Sequence, residues 1–322
     1  LTWDPSDSST PTATYDGSSH APTATATNLV NEDVIGVTVD GAQTNAGDYT
    51  ATASALTGNK KDNYKLPTAN TQDFTIGKRP VTVSGITASD KEYDGTTAAT
   101  LVLTGATFAD GDIIGTDNVT IESATGAFAD ANAGAGKTVT ISAITLGGSS
   151  VANYEFAGSG QQTEITANIT KAPLTVTADN KSITYGDATP IYTITYAGWK
   201  NGESETVLTS EPTASSEYTQ GSNVGSYPIT VTGGVATNYE IATQNGTLTV
   251  SPKSLGDGTL ADDFTLEFDE SGEMTLKYGS HTLTKDVDYT IGNEVTGTKY
   301  STRTVSGTGN YNGTLDIRNA IV

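Results

Sequence analysis

Asn-Tyr followed two residues later by an apolar side chain occurs three times in this chain, at Asn63-Tyr64-x-Leu66, Asn153-Tyr154-x-Phe156 and Asn238-Tyr239-x-Ile241, and a looser copy begins at Asn310. Upstream of the first three lies Asn-small-Gly, starting at Asn45, Asn132 and Asn223. Further upstream is a tyrosine turn: Tyr15-Asp16-Gly17, Tyr93-Asp94-Gly95 and Tyr185-Gly186-Asp187. Motifs recurring in one order at a period of roughly 80 to 90 residues describe an array of small units, each with its own core.

Each copy closes in an alternating segment that meets a basic or proline punctuation and restarts: "DFTIGKRPVTV", "ANITKAPLTV" and "GTLTVSPKSL". Boundaries near Lys78, Lys171 and Pro252 give four domains: 1–78, 79–171, 172–252 and 253–322. Pro80 and Pro173 suit the start of an edge strand, where a missing N–H costs nothing. Apolar residues alternate with polar ones, as in Thr138 to Leu146, and Val, Ile, Thr and Tyr are frequent, so half-buried antiparallel strands are expected. No segment sustains a helical stripe, so helix should be nearly absent. The fold class expected is all-β: tandem small Ig-like β-sandwich domains. The joints leave almost no linker, which predicts end-to-end units and an elongated rod.

All four segments carry a resemblance to known repeats. "EYDGTT", "LTGATFADGD" and "ITKAPLTVTA" make the second domain resemble the YDG domain. "ITYGDATP", "YAGWKNGESETVL", "NVGSYPITV" and "NYEI" make the third resemble the mostly-β, glycine-rich MBG domain, and the first looks like a shortened MBG relative. The fourth is similar to another repeat of secreted bacterial proteins, from which it departs in lacking Asn-small-Gly. The resemblance implies tandem modules of large exported, adhesin-like bacterial proteins, at the cell surface or secreted. Such modules serve as stalks or spacers with no assigned catalytic residues.

Composition removes several function classes. Apolar residues are 35% of the chain, which suits several thin cores better than one thick one. There is no cysteine, so disulfides, zinc-thiolate sites and thiol nucleophiles are excluded. A net charge of -21 repels phosphate backbones and anionic head groups, so no nucleic-acid partner is expected. No apolar run is long enough to span a bilayer, so no membrane insertion is expected within this segment. The opening "LTWDPSDSST" lacks the layout of a signal peptide and reads as part of a mature or excised segment.

The tyrosine turns have the residue types of a site, yet Asp-Gly and Gly-Asp exchange places between copies. A catalytic or metal-binding carboxylate could not do so and stay in register, whereas both dipeptides make turns. The asparagine of Asn-Tyr is expected to make a local side-chain bond to backbone. Asp110, Asp112 and Asp117, Asp130 with Asn132, and Asp257, Asp262 and Asp263 are acid-rich, but none has the ligand pattern of an EF-hand loop. The two histidines, His20 and His281, lie in different repeats without a nucleophile elbow. No catalytic residue, metal or cofactor is therefore assigned, and the chain is expected to be a monomer. Trp199 and Tyr196, two strand positions from the same face, are the candidate ligand contact, for a host or surface glycan or protein. The competing reading has Trp199 filling a core position.

Overall fold

In the computed structural model, which describes residues 1–4 and 13–320, the recurring motifs occupy corresponding strands of one repeated sheet. The first three repeats share a strand order: the strand leading into the tyrosine turn, the closing strand, the strand that follows Asn-small-Gly, and the strand before it. In the first repeat these are Ala13–Thr14, Thr71–Gly77, Gly47–Thr57 and Gly36–Asp40. In the second they are Lys91–Glu92, Glu164–Thr170, Gly134–Gly147 and Thr120–Phe128, and in the third Lys181–Thr184, Gly246–Ser251, Gly225–Ala236 and Leu208–Ser215.

Among the described residues the remaining strands form smaller ladders: one pair in the first repeat, three separate pairs in the second, and a single three-stranded sheet in the third. In the third repeat it is Ile194–Ala197, Ala172–Ala178 and Tyr239–Gln244, with the joint strand in the middle. Val176 and Ala178 from this sheet meet Ile229, Val231, Leu248 and Val250 from the larger one, all buried, so the core lies between two sheets as in a sandwich. The fourth repeat merges two roles: Tyr311–Ala320 begins with the Asn-Tyr tyrosine and continues as the long partner of Tyr300–Gly307. By compactness the chain divides into two units, Leu1–Thr170 and Lys171–Val322, each holding two of the sequence repeats.

The structure is all-β, and its only helical segments among the described residues are three single 3₁₀ turns. The sheets are not purely antiparallel as the alternation suggested. The tyrosine-turn strand runs parallel to the closing strand in all three copies, and the joint strand runs parallel to the Asn-Tyr strand in repeats two, three and four. Period-two patterning reports the pleat and is blind to strand direction. The long intervals between these partners provide the crossover that parallel pairing requires. Pro173 pairs only with the Tyr239–Gln244 strand, because the other neighbour begins at Thr175. Its missing N–H therefore breaks no ladder.

The tyrosine turns are bends. Gly17 and Gly95 have φ of 77° and Gly186 has 89°, in the left-handed region. Each acid serves its own turn: Asp94 accepts the Thr96 amide at 2.8 Å, Asp16 that of Ser18 at 2.7 Å, and Asp187 that of Thr184 at 2.9 Å. Lys91 donates to Asp94 at 2.8 Å and holds its carboxyl down to about 2. Gly95→Val should lower stability by about 1–3 kcal/mol, because a β-branched residue is strained at positive φ. Thermal unfolding at an unchanged midpoint would contradict this.

Candidate functional site

Trp199 does not share a strand face with Tyr196 as expected: it lies in the loop after the strand Ile194–Ala197, half-buried, with Tyr196 on one side and Tyr239 on the other. The Tyr196 and Trp199 ring centroids are 5.3 Å apart in a tilted arrangement, and Tyr239 meets Trp199 edge-on at 5.1 Å. Burial, then the charges of Glu211 and Glu205, push the Tyr196 hydroxyl up from its ordinary value. The structure thus brings the two candidate contact residues together, and binds both rings into a cluster anchored by a fully buried tyrosine.

The loop around Trp199 has a plan shared with two other repeats. The Lys200 amide donates to the Tyr239 hydroxyl at 2.9 Å, and that hydroxyl donates to Glu203. In the second repeat Ile114 donates to Tyr154 at 3.0 Å, and Tyr154 donates to Asp117 at 2.6 Å. In the first, Val30 donates to Tyr64 and Tyr64 to Asp33, both at 3.0 Å. The acid always stands three residues after the amide donor, and Trp199 takes the place of Leu29 and Ile113 just before it.

Most of the acids singled out in the sequence have protein partners. Asp112 accepts the Thr82 amide, and Arg79 bonds the carbonyls of Gly111 and Asp112 beside it. Asp130 pairs with Lys137 at 2.6 Å, and Asp263 with Lys253. Asp110, Asp257 and Asp262 are exposed. Among the described residues no three His, Asp or Glu side chains converge as a metal site would need. His20 bonds Asp16 at 2.8 Å within its own turn, and His281 is exposed on a short strand.

The recurring motifs converge where consecutive repeats of one unit meet. In Leu1–Thr170, Asn153 of the second repeat reaches back to the first: its Oδ1 accepts the Ala46 amide at 2.9 Å, and its Nδ2 donates to Asn45 Oδ1 at 3.1 Å. In Lys171–Val322, Asn310 of the fourth repeat does the same to the third, accepting from Val224 at 2.8 Å and donating to Asn223 at 2.9 Å. Tyrosines pack beside these bonds. Tyr154 meets Tyr15 edge-on at 5.5 Å and 72°, and Tyr311 meets Tyr185 at 5.4 Å and 74°. Both arrangements are the favoured T-shaped contact.

This clasp corrects the expectation of a local role for the asparagine. The side chains of Asn153 and Asn310 bond the preceding repeat, not their own turn. The glycine of the tyrosine turn has a second function here: a Cβ on Gly17 would come within 2.9 Å of Ile114, and one on Gly186 within 2.7 Å of the Tyr278 hydroxyl. The sequence signal was the joint recurrence of all three motifs, which is what one repeated contact surface would produce.

The two clasps differ at the tyrosine hydroxyl. Tyr15 donates to Asp117 at 2.7 Å alongside Tyr154, so one carboxylate receives both phenols. These bonds, first from Tyr154 and then from Tyr15, hold the Asp117 carboxyl below its ordinary 3.8. Burial and then the Asp117 bond push Tyr154 up to about 12. Tyr311 also has its hydroxyl pushed up, by burial first and then by the neighbouring Tyr185, but among the described residues that buried oxygen has no partner in hydrogen-bonding geometry.

Two outcomes follow from the difference. Tyr154→Phe should destabilise Leu1–Thr170 by about 1–3 kcal/mol, as expected for bonds to a charged group, whereas Tyr311→Phe should leave its unit unchanged or slightly more stable. Hydrogen exchange resolved by unit measures both, and equal losses would contradict the assignment. Because the Asp117 pKa is lowered on folding, its contribution is present above pH 3.8 and is lost as pH falls through the folded value. The Asn153 side-chain amide resonances should therefore shift on acidification below that point, and those of Asn310, beside a tyrosine whose hydroxyl bonds no carboxylate, should shift less.

Residues 77–164 match the family model of the YDG domain, and residues 174–249 match that of the MBG domain of the YGX type. No curated protein matches the chain. The matched segments carry two of the tyrosine turns and two of the Asn-Tyr strands described above, the second with its Tyr-Gly-x order. The chain thus carries in tandem a segment that matches the YDG domain and one that matches the MBG domain.

Proposed function

We propose that this chain is a non-enzymatic spacer of a bacterial surface or secreted protein, an adhesin-type stalk that holds another region away from the cell. The observation that carries this reading is the fate of the recurring residues. In both units the Asn-Tyr, Asn-small-Gly and tyrosine-turn motifs meet in a clasp between repeats, so the chemistry repeated along the sequence serves the joint. Neither the YDG nor the MBG domain is a known enzymatic family. The high negative charge favours a soluble, monomeric chain that repels its own copies.

A spacer predicts an extended particle. Strands of about 8 to 10 residues at roughly 3.3 Å per residue, plus loops, give four repeats in series a length of about 150 Å and a radius of gyration near 40 Å. A compact chain of the same size would show about 20 Å. Small-angle scattering decides between them, and a value near the compact one would overturn the spacer reading.

The Tyr196–Trp199 pair supports a second reading, a glycan- or protein-binding module, since two adjacent half-exposed rings can stack on a sugar face. Glycan-array binding that is lost in Trp199→Ala while the fold is retained would establish it. A blank array for the parent chain would remove it.

A further inference from the structure

In each of the first three repeats, part of the longest strand has a partner on one side only. The closing strand pairs with Gly47–Thr57 as far as Thr52, with Gly134–Gly147 as far as Thr140, and with Gly225–Ala236 as far as Ile229. The rest of each long strand is held from its other side alone. A groove opens beside that free edge in every copy, and the apolar residue of Asn-Tyr-x-apolar lines it: Leu66, Phe156 or Ile241. This is the part of the motif that the clasp does not use.

The three copies differ in how the free edge is closed. In the first, Asn70 takes up both backbone groups of Ala53: its carbonyl accepts the amide at 2.8 Å, and its Nδ2 donates to the carbonyl at 3.0 Å. In the third, Lys171 donates to the Ala236 carbonyl at 2.9 Å, and Gly233 and Gly234, at φ of 76° and 87°, turn the chain off the extended path. Ile241 lies against Gly234 there, where a Cβ would come within 3.1 Å of it. In the second, the Thr163 carbonyl accepts the Ile141 amide at 2.8 Å, and beyond that point no described residue bonds the free side of residues 143–146.

The lining of this open groove is also unlike the others. Phe156 stays 38% exposed, beside Ile141 and Ile144. Gln161 and Gln162 form the opposite wall. Gln161 accepts the Val83 amide and donates to the Val81 carbonyl, and Gln162 does both to Ile86, which leaves a second N–H on each amide. The space is about 350 Å³, and no charged side chain lines it, on a chain of net charge -21. The first groove holds Lys61, Asp62 and Lys65, and the third Lys171 and Glu240.

We propose that the groove of the second repeat binds an extended, uncharged segment of another protein, which adds a strand to the free edge at residues 143–146 and sets an apolar side chain against Phe156 and Ile144. A free edge offers a row of N–H and C=O groups that an extended backbone matches. The period of two then directs alternate side chains into the groove. A charged side chain would lose its hydration there without gaining a partner, so the uncharged lining selects an uncharged segment. The closed edges of the first and third repeats confine the site to one groove per chain. The inference does not depend on the spacer reading, and the Trp199 site lies in the other unit, so its failure would leave both untouched.

The test titrates the full chain with acetylated, amidated pentapeptides Thr-Xaa-Thr-Xaa-Thr, where Xaa is Val, Leu or Phe, and follows it by NMR. At least one should shift the Ile141 and Ile144 methyl and Phe156 ring resonances, and slow the exchange of amides on the free side of residues 143–146 by about tenfold or more. The same peptide N-methylated throughout, or with Asp at both Xaa positions, should bind more weakly by about tenfold. Phe156→Asp should weaken binding to a similar degree while the Asn153 side-chain amide resonances stay in place, and Phe156→Ala replaces it if the charged variant does not fold. No shift with any of the three peptides at millimolar concentration would overturn the proposal. So would undiminished binding of the N-methylated peptide, equal shifts at Val235 and Ala236, or shifts of the groove by the neutral sugar chitohexaose in place of the peptides.

Discussion

A carboxamide is the smallest side chain that offers a donor and an acceptor at fixed separation, and the joints within both units depend on that property. Asn153 and Asn310 each present the oxygen to a backbone amide and the nitrogen to another asparagine's oxygen, and neither aspartate nor leucine could do both. At a joint that is otherwise aromatic and half-buried, an unpaired amide would be costly. The pairing therefore defines one registered approach of the two repeats, and the tyrosine rings add area without having to specify the angle.

The sheets make this approach repeatable. The joint strand pairs in parallel with the strand that begins at the clasp tyrosine, so the residue entering a repeat lies beside the residue that reaches back to the one before. The clasp is thus attached to the joint strand by backbone bonds and cannot drift from it. The absence of a Cβ at Gly17 and Gly186 lets Ile114 and Tyr278 approach the opposite surface. Within each unit the division of labour is the same: the tyrosine turn and Asn-small-Gly of the earlier repeat receive, and Asn-Tyr of the later one docks.

Much of this was legible in the residues. The exchange of Asp-Gly with Gly-Asp identified the turns as bends, and alternation with frequent Val, Ile and Thr gave the strands. Strand direction was not legible, because a period of two is the same for parallel and antiparallel neighbours. Nor was the partner of Asn153, which is 108 positions from Asn45, although the motifs' joint recurrence was visible. Asp117 stood out as an acid and was weighed as a cation ligand. Its role as acceptor for Tyr15 and Tyr154 required knowing that two tyrosines from different repeats share one place. Trp199 illustrates the limit in the other direction. Its side chain suggests a sugar contact, while its position, aligned with Leu29 and Ile113, is that of a packing residue in the same loop plan.

Parallel pairing at the joint also governs how a repeat would bear tension. The joint strand enters a repeat beside the Asn-Tyr strand, and in the second repeat chain leaves along Glu164–Thr170, itself parallel to the tyrosine-turn strand. Pulling on the two ends slides these partners lengthwise past each other. Every bond in a ladder is then stretched at once, whereas a hairpin pulled open at its end yields them one after another. The direction of two short strands, invisible in the sequence, thus makes the second repeat a shear-loaded element.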